Sequence, residues 1–382
     1  MRNAGIVLLS FLLAFYTFNS EEIYKKDIRN RLVIQGIGID IVESGEYSVT
    51  IQAIDTNNQS SASSDSASQP PIKVYEVKGD TIYIAIKGVT EIEGKIPLYS
   101  QNRIIILGKS ITEENMADVI DFFVRDVENS SSVYVAAAEK TAGEILNAKN
   151  GKEYITAGSI ETGISAYEYD ARIFNMQLYD LINRYNSSTK DFAMPLLSVK
   201  EENGEKSVEI SGTALFNSTK YREKISKDKT AFLNILYDKV NNTALAYDYE
   251  DNKKVSLNIV NSKTERNLTL KNGVPHFKIK VKMQADISEI SGGVSTKTET
   301  QDIERIKSAG EKYIENETKK LLNSLYNEYN SDSVGLARLI YINEKDFFKR
   351  NEKNLDSVLQ NSVYEVEVDL KVRRMGHEFI QE

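Results

Sequence analysis

The pattern of apolar and polar positions divides the chain into recognisable segments. Arg2 is followed by one unbroken apolar run, Ala4 to Phe18. From Leu32 the pattern reads as strand: Leu32 to Asp40, then Tyr47 to Ile54 with Val49, Ile51 and Ala53 alternating. Thr56 to Gln69 is polar and low in complexity, ends at Pro70-Pro71, and reads as a loop inserted between strands. A second β-rich run is expected over Lys73–Lys87. Arg103–Leu107 reads as a buried strand, Gly108 as a turn and Thr112 as a helix N-cap with Glu113 and Glu114 in the first turn. Met116, Val119, Ile120, Phe123, Val124 and Val127 then follow at helical spacing. A strand at Val133–Ala138, a short helix at Thr141–Asn147 and a helix at Ile173–Tyr185 are predicted next.

In the second half, Asn203–Glu205 reads as a turn before a strand at Ser207–Phe216 and a helix at Asp228–Tyr237. Alternation then predicts strands at Thr243–Tyr249, Lys254–Val260, Glu265–Leu270 and His276–Asp286, as a mostly antiparallel, half-exposed sheet. The longest predicted helix, Asp302–Tyr329, carries Ile303, Ile306, Tyr313, Ile314, Leu321, Leu322, Leu325 and Tyr329 on its apolar positions. A helical patch at Phe347–Leu359 and a strand at Val363–Val372 close the pattern. The fold class is α+β, multi-domain, with mixed and antiparallel sheets, packed helices and one long helix in the C-terminal half.

Length adds a division into units, because single cores rarely grow past about 250–300 residues and the chain has 382. The expected organisation is a signal or anchor segment at 1–20 and an N-terminal α+β domain at 27–200 with its loop at 56–71. A C-terminal α+β region at 206–382 follows, divisible near 206–260 and 261–382. Fifteen residues of helix span roughly 22 Å against a hydrocarbon core of ~30 Å, so Ala4–Phe18 fits an export signal or an uncleaved signal-anchor. A net charge of −8 argues against a nucleic-acid backbone binder. With no cysteine, disulfides, thiolate nucleophiles and a lipidated Cys are all excluded.

Little in the chain points to chemistry. Gly36 and Gly38 form a G-x-G without the third glycine or the following helix of a dinucleotide site, and read instead as a strand kink or a close backbone approach. The two histidines, His276 and His377, are not spaced with carboxylates as metal ligands. Glu91/Glu93 and Glu113/Glu114 read as solvated faces or helix starts, Tyr167 and Tyr169 as strand packing. No nucleophile elbow, Walker loop or calcium-binding loop occurs. The expectation is a protein with no catalytic, cofactor-binding or metal-binding residues and no cofactor.

Five motifs in order carry a resemblance. They are Asp27-Ile28 leading through Leu32-Val33-Ile34 to Gly36-Ile37-Gly38-Ile39-Asp40; the Arg103–Asp126 strand–helix closing on Asp121-Phe122-Phe123 and Arg125-Asp126; Val135–Leu146; Gly212-Thr213-Ala214-Leu215-Phe216; and Asp332–Gly335, with Val372-Arg373-Arg374 and Gly376 at the close of the final strand. Together they resemble the Ger(x)C family, the lipoprotein C subunits of spore germinant receptors. The chain departs from that family at the anchor, where Ser20–Tyr24 lacks the lipid-bearing Cys, and it has no Trp after the long helix, where Phe347-Phe348 stand.

The resemblance implies a non-enzymatic subunit on the outer face of the spore inner membrane. It implies assembly with a membrane-spanning A subunit and a transporter-like B subunit, and signal passage through protein–protein contacts. The alternative reading is an extracytoplasmic solute- or surface-binding module, which predicts a ligand cleft between the two main halves. An exported hydrolase would need convergent carboxylates or histidines in a pocket.

Overall fold

A computed structural model describes residues 30–54, 72–114, 116–125, 129–148, 155–250, 253–291, 300–375 and 378–379. The expected anchor at 1–20, the loop at 56–71, Asp126, Gly376 and His377 lie outside the described residues.

The first half builds a nine-stranded sheet. Strands β1 (Arg31–Ile41), β2 (Tyr47–Ile54) and β3 (Ile72–Gly79) pair antiparallel. Helix α1 (Ile82–Glu93) and the short strand β4 (Ile96–Leu98) follow. Strand β5 (Ile104–Leu107), helices α2 (Lys109–Glu114) and α3 (Met116–Arg125), strand β6 (Tyr134–Ala138) and helices α4 (Ala142–Asn147), α5 (Thr156–Ser165) and α6 (Leu178–Tyr185) come next. Strands β7 (Phe192–Glu202), β8 (Glu205–Asn217) and β9 (Lys220–Ile225) complete the sheet, whose order is β3-β2-β1-β5-β6-β7-β8-β9 with β4 beside the start of β1. Its centre is parallel and both its flanks are antiparallel.

The parallel centre is buried on both faces, and its sequence is accordingly continuous rather than alternating. Ile105 and Leu107 face the main core with α1 and α3, while Ile104 and Ile106 face a second cluster with α4 and α5. The run expected as strand over Lys73–Lys87 is corrected here. Strand β3 ends at Gly79 and α1 begins at Ile82, with the Thr81 side chain accepting from the Ile84 N–H. Ile82, Ala85, Ile86 and Val89 are buried at helical spacing, so packing on the sheet overrides the β-like Ile-Tyr-Ile-Ala-Ile alternation. Thr112 is likewise not an N-cap. It lies buried inside α2, and its hydroxyl donates to the Lys109 carbonyl.

In the second half, α7 (Lys227–Tyr237) leads into β10 (Thr243–Glu250), β11 (Lys253–Lys271) and β12 (Val274–Ser291), which pair antiparallel. Helix α8 (Thr300–Asn323) ends in a π-turn at Ser324–Glu328. Helices α9 (Leu336–Asn343), α10 (Lys345–Asn351) and α11 (Leu355–Gln360) precede β13 (Val363–Met375), which pairs parallel to β12 and carries the short strand β14 (Glu378–Phe379). The strands predicted at 254–260 and 265–270 are one strand with an irregular register between Ile259 and Asn261, so the expected division at 260/261 falls within β11. The turn at Asn203–Gly204 joins β7 to β8 inside the first sheet, so residues 206–225 continue the sheet begun in the N-terminal half.

The five-stranded sheet curls around α8. A Cβ on Gly310 would lie 2.5 Å from Tyr247 Oη and 2.8 Å from Leu370 Cδ2, although β10 and β13 are three strands apart in the sheet. Tyr247 Oη donates to the Ile306 carbonyl at 2.8 Å, and the Leu370 N–H donates to Glu311 at 3.1 Å. The opposite face is laced with charge, with Lys278 and Lys280 on β12 paired to Glu367 on β13. Exposed pairs of that kind contribute little stability. The buried contacts around α8 hold this half together.

Candidate functional site

Two buried carboxylates organise most of the segments that carry the family-like motifs. Asp40 closes β1 and turns to the N-terminus of α4, where its two oxygens accept from the Ala142 and Gly143 N–H groups at 3.0 Å each. Thr141 caps the same helix by accepting from the Glu144 N–H. The glycines before Asp40 bring α4 and α5 against the strand. A Cβ on Gly36 would lie 2.9 Å from Ala157 Cβ, and one on Gly38 would lie 2.9 Å from Ala142 Cβ. Gly108 is needed for the same reason, because Asp40 fills the space its side chain would take. The close-approach reading of Gly36 and Gly38 is thus what the packing requires. Burial raises the Asp40 pKa, opposed by its two backbone hydrogen bonds.

The second carboxylate, Asp332, joins the halves. It follows the π-turn that ends α8 and is buried. One oxygen accepts from Tyr326 Oη at 2.8 Å, the Gly335 N–H at 3.0 Å and the Leu336 N–H at 2.7 Å. The other accepts from the Ala337 N–H at 2.9 Å, so the first turn of α9 is satisfied by this side chain. Asp332 donates its own N–H to Asp191, just before β7, at 2.6 Å, and Asp191 also accepts from the Ser218 N–H at 2.8 Å. On either side of Asp332, Ser331 donates to the Phe216 carbonyl at 2.7 Å and Ser333 to the Phe192 carbonyl at 3.1 Å. Tyr237 Oη donates to the Ser333 carbonyl. Residues 331–333 thus extend hydrogen bonding from β7 and β8 of the first sheet into the helices of the second half.

Burial pushes the Asp191 carboxyl up to about 8, against the pull of its two backbone donors. The Asp332 carboxyl is raised by burial as well, opposed by the Ala337 and Leu336 N–H groups and the Tyr326 hydroxyl. Rings complete the joint. Phe192 stacks on Phe216 with centroids 4.7 Å apart, and Tyr326 stacks on Tyr364, which stacks on Phe277. Gly212, ahead of Phe216, adopts φ +154 and passes against the Ile225 carbonyl, where no side chain fits.

These groups are spent on packing. The hydrogen bonds of Asp332 given above cap α9 or tie the halves, and the flanking Ser331 and Ser333 hydroxyls are themselves committed to the Phe216 and Phe192 carbonyls. Among the described residues no group of three or more His, Asp or Glu could hold a metal ion. His276 lies in β12, paired in register with Val363. Arg125, at the end of the second motif, makes a 2.8 Å surface pair with Asp121, and Arg373 pairs with Asp286 at 2.9 Å.

A cleft of about 510 Å³ opens between α5 and the β7–β8 hairpin, floored by Ile160, Leu197 and Ile210. Arg172 at its rim is held by both oxygens of Asp170. It lies beside the first sheet, whereas the solute-binding alternative expects its cleft between the halves, where Asp191, Ser331 and Asp332 are buried. Sequence reasoning marked Asp40 and Asp332 only as parts of motifs. Their capping roles follow from long-range contacts that no spacing reveals.

Comparison with known proteins follows the same two-part order. Residues 24–199 match the spore germination protein N-terminal domain, and residues 211–376 match the spore germination B3/GerAC-like C-terminal domain. The chain is 23% identical to spore germination protein B3 of Bacillus subtilis (strain 168) over 361 residues, covering 92% of this chain and 93% of that one. It is 21% identical to spore germination protein KC of the same organism over 376 residues, covering 92% and 91%. The crystal structure of the GerBC protein superposes with a TM-score of 0.58 at 19% identity, covering 88% of this chain and 96% of that one, which shows a shared fold.

Proposed function

The chain belongs to the Ger(x)C family of spore germination proteins, and from that membership we propose that it serves as the C component of a nutrient-germinant receptor. The family is one of membrane-associated, non-catalytic receptor subunits. In this reading the chain stands on the outer face of the spore inner membrane. It assembles with a membrane-spanning A subunit and a transporter-like B subunit, and passes the germinant signal through protein–protein contacts. The observation that carries the reading is the match of both family domains, in order, over residues 24–199 and 211–376.

The joint around Asp332 supports a mechanical role. With both halves tied by buried hydrogen bonds, a displacement imposed on one surface reaches the other without loss in a soft linker. No helix among the described residues is long and apolar enough to cross a membrane, so attachment falls to Ala4–Phe18 or to the other subunits.

Membrane fractionation with co-purification tests the reading, using the full chain and a version starting at Asp27, each beside the neighbouring receptor subunits. The full chain is expected in the membrane fraction with a polytopic partner, and the shortened chain in the released fraction. Deletion is expected to abolish the response of spores to a nutrient while vegetative growth stays normal. A full chain that is released and captures no partner would refute the assignment.

A further inference from the structure

The second half exposes apolar side chains at Tyr341, Ile342 and Val363, but the first half gathers four within one short stretch. Tyr83 and Ile84 are each 56% exposed and Ile92 is 59% exposed on α1, and Ile96 is 50% exposed on β4. Helix α1 spends its other side, Ile82, Ala85, Ile86 and Val89, on the core. Lys87 lies over the Tyr83 ring, 5.2 Å from its centroid.

The position of this surface distinguishes it. Ile96 pairs in register with Arg31, and its N–H donates to the Asn30 carbonyl at 2.9 Å. The described fold therefore starts beside Ile96. Only residues 19–29 separate it from the apolar run that ends at Phe18. Eleven residues reach at most ~40 Å even when fully extended. If Ala4–Phe18 is held in a bilayer, the α1–β4 corner is the part of the fold tethered nearest to it.

We propose that the α1–β4 corner rests on the membrane, with Ile92, Ile96 and Ile84 entering the headgroup–acyl boundary of the phospholipid. At about 100° per residue, the nine residues between them set Tyr83 on the side of α1 opposite Ile92, so Tyr83, with Lys87 over its ring, lies at the edge of the contact and not within it. Glu91 lies on the same outward side, so the contact is apolar in origin and persists in high salt and on zwitterionic lipid. It fixes the orientation of the receptor subunit, and Ile342, exposed on a helix of the second half, serves as the reference position. This inference rests on the anchored reading of Ala4–Phe18.

The chain lacks cysteine, so single-cysteine variants of the full chain report cleanly. Ile92→Cys, Ile96→Cys and, as reference, Ile342→Cys carry a polarity-sensitive fluorophore, and all three positions are exposed enough to leave the core intact. The labelled proteins are mixed with phosphatidylcholine vesicles, with and without brominated acyl chains, and floated on a density gradient. The expected result is flotation of all three, with bromolipid quenching at 92 and 96 at least about twofold above that at 342. Flotation with equal quenching at the three positions overturns the proposal and leaves the anchor standing. Flotation with a buried label at 92 that bromolipid does not quench also overturns it, and points to a protein contact. Failure to float overturns the anchor and the proposal together.

Discussion

Replacing Asp332 with Ala removes the side-chain acceptor of Tyr326 Oη and of the Leu336 and Ala337 N–H groups, while the Gly335 N–H keeps its 2.9 Å bond to the residue 332 carbonyl. Loss of a helix cap costs about 0.5–2 kcal/mol. A buried donor left unsatisfied, as Tyr326 Oη would be, costs about 1–3 kcal/mol. Removing a carboxylate whose pKa is raised by burial returns part of that, so the expected net loss is about 3 kcal/mol. Urea unfolding followed by far-ultraviolet circular dichroism reads the loss as a lower midpoint with an unchanged slope.

Tyr326→Phe removes one member of the network and should cost about 1 kcal/mol alone. In the Asp332→Ala background the same change deletes an orphaned donor, so it should be neutral or stabilising. A coupling energy above about 1 kcal/mol is therefore expected from the double-mutant cycle. Additive losses, or an Asp332→Ala cost no larger than that of Tyr326→Phe alone, would refute the network.

Asp191 gives a pH test. Its folded pKa is raised to about 8, so the stability it contributes is full below its unfolded value and is lost as pH rises through about 8. Asp191→Asn should therefore compare least well with the parent in acid and best near pH 8, measured as unfolding midpoints across that range; a difference independent of pH would count against the raised carboxyl. Gly38→Ala drives a methyl to within 2.9 Å of Ala142 Cβ and should destabilise by about 1–3 kcal/mol in thermal unfolding. Gly310→Ala gains about 1 kcal/mol of helix propensity but overpacks Tyr247 and Leu370, so a net loss of about 1–2 kcal/mol is expected, and a stabilised variant would show that the sheet does not close on α8 as described.

How much of this was legible in the sequence depends on where each element takes its stability. Helix α8 carries its own period, and the expected Asp302–Tyr329 differs from Thr300–Asn323 plus the π-turn by little. Strands β5 and β6 were legible because burial on both faces leaves an unbroken apolar run. Helix α1 was not, since Ile-Tyr-Ile-Ala-Ile satisfies a strand period locally and only the sheet beneath Ala85 and Val89 selects the helix. Strand β13 read correctly as a strand, but its parallel pairing to β12 follows from the helical crossover, which the alternating pattern does not encode.

The same distinction explains why the motifs could identify a family without revealing a site. Gly36, Gly38, Gly108 and Asp40 are separated in sequence, yet each answers the approach of α4 and α5 to one strand. Phe216 and Ser331 are also far apart, yet Ser331 donates to the Phe216 carbonyl, and Asp332 beside it caps α9. Residues held in such places tolerate little change, because an added methyl clashes or a lost oxygen orphans several donors. Contact with the surroundings falls to exposed residues that the motifs omit, and the α1–β4 corner, rather than the buried joint around Asp332, is where contact with lipid is to be sought.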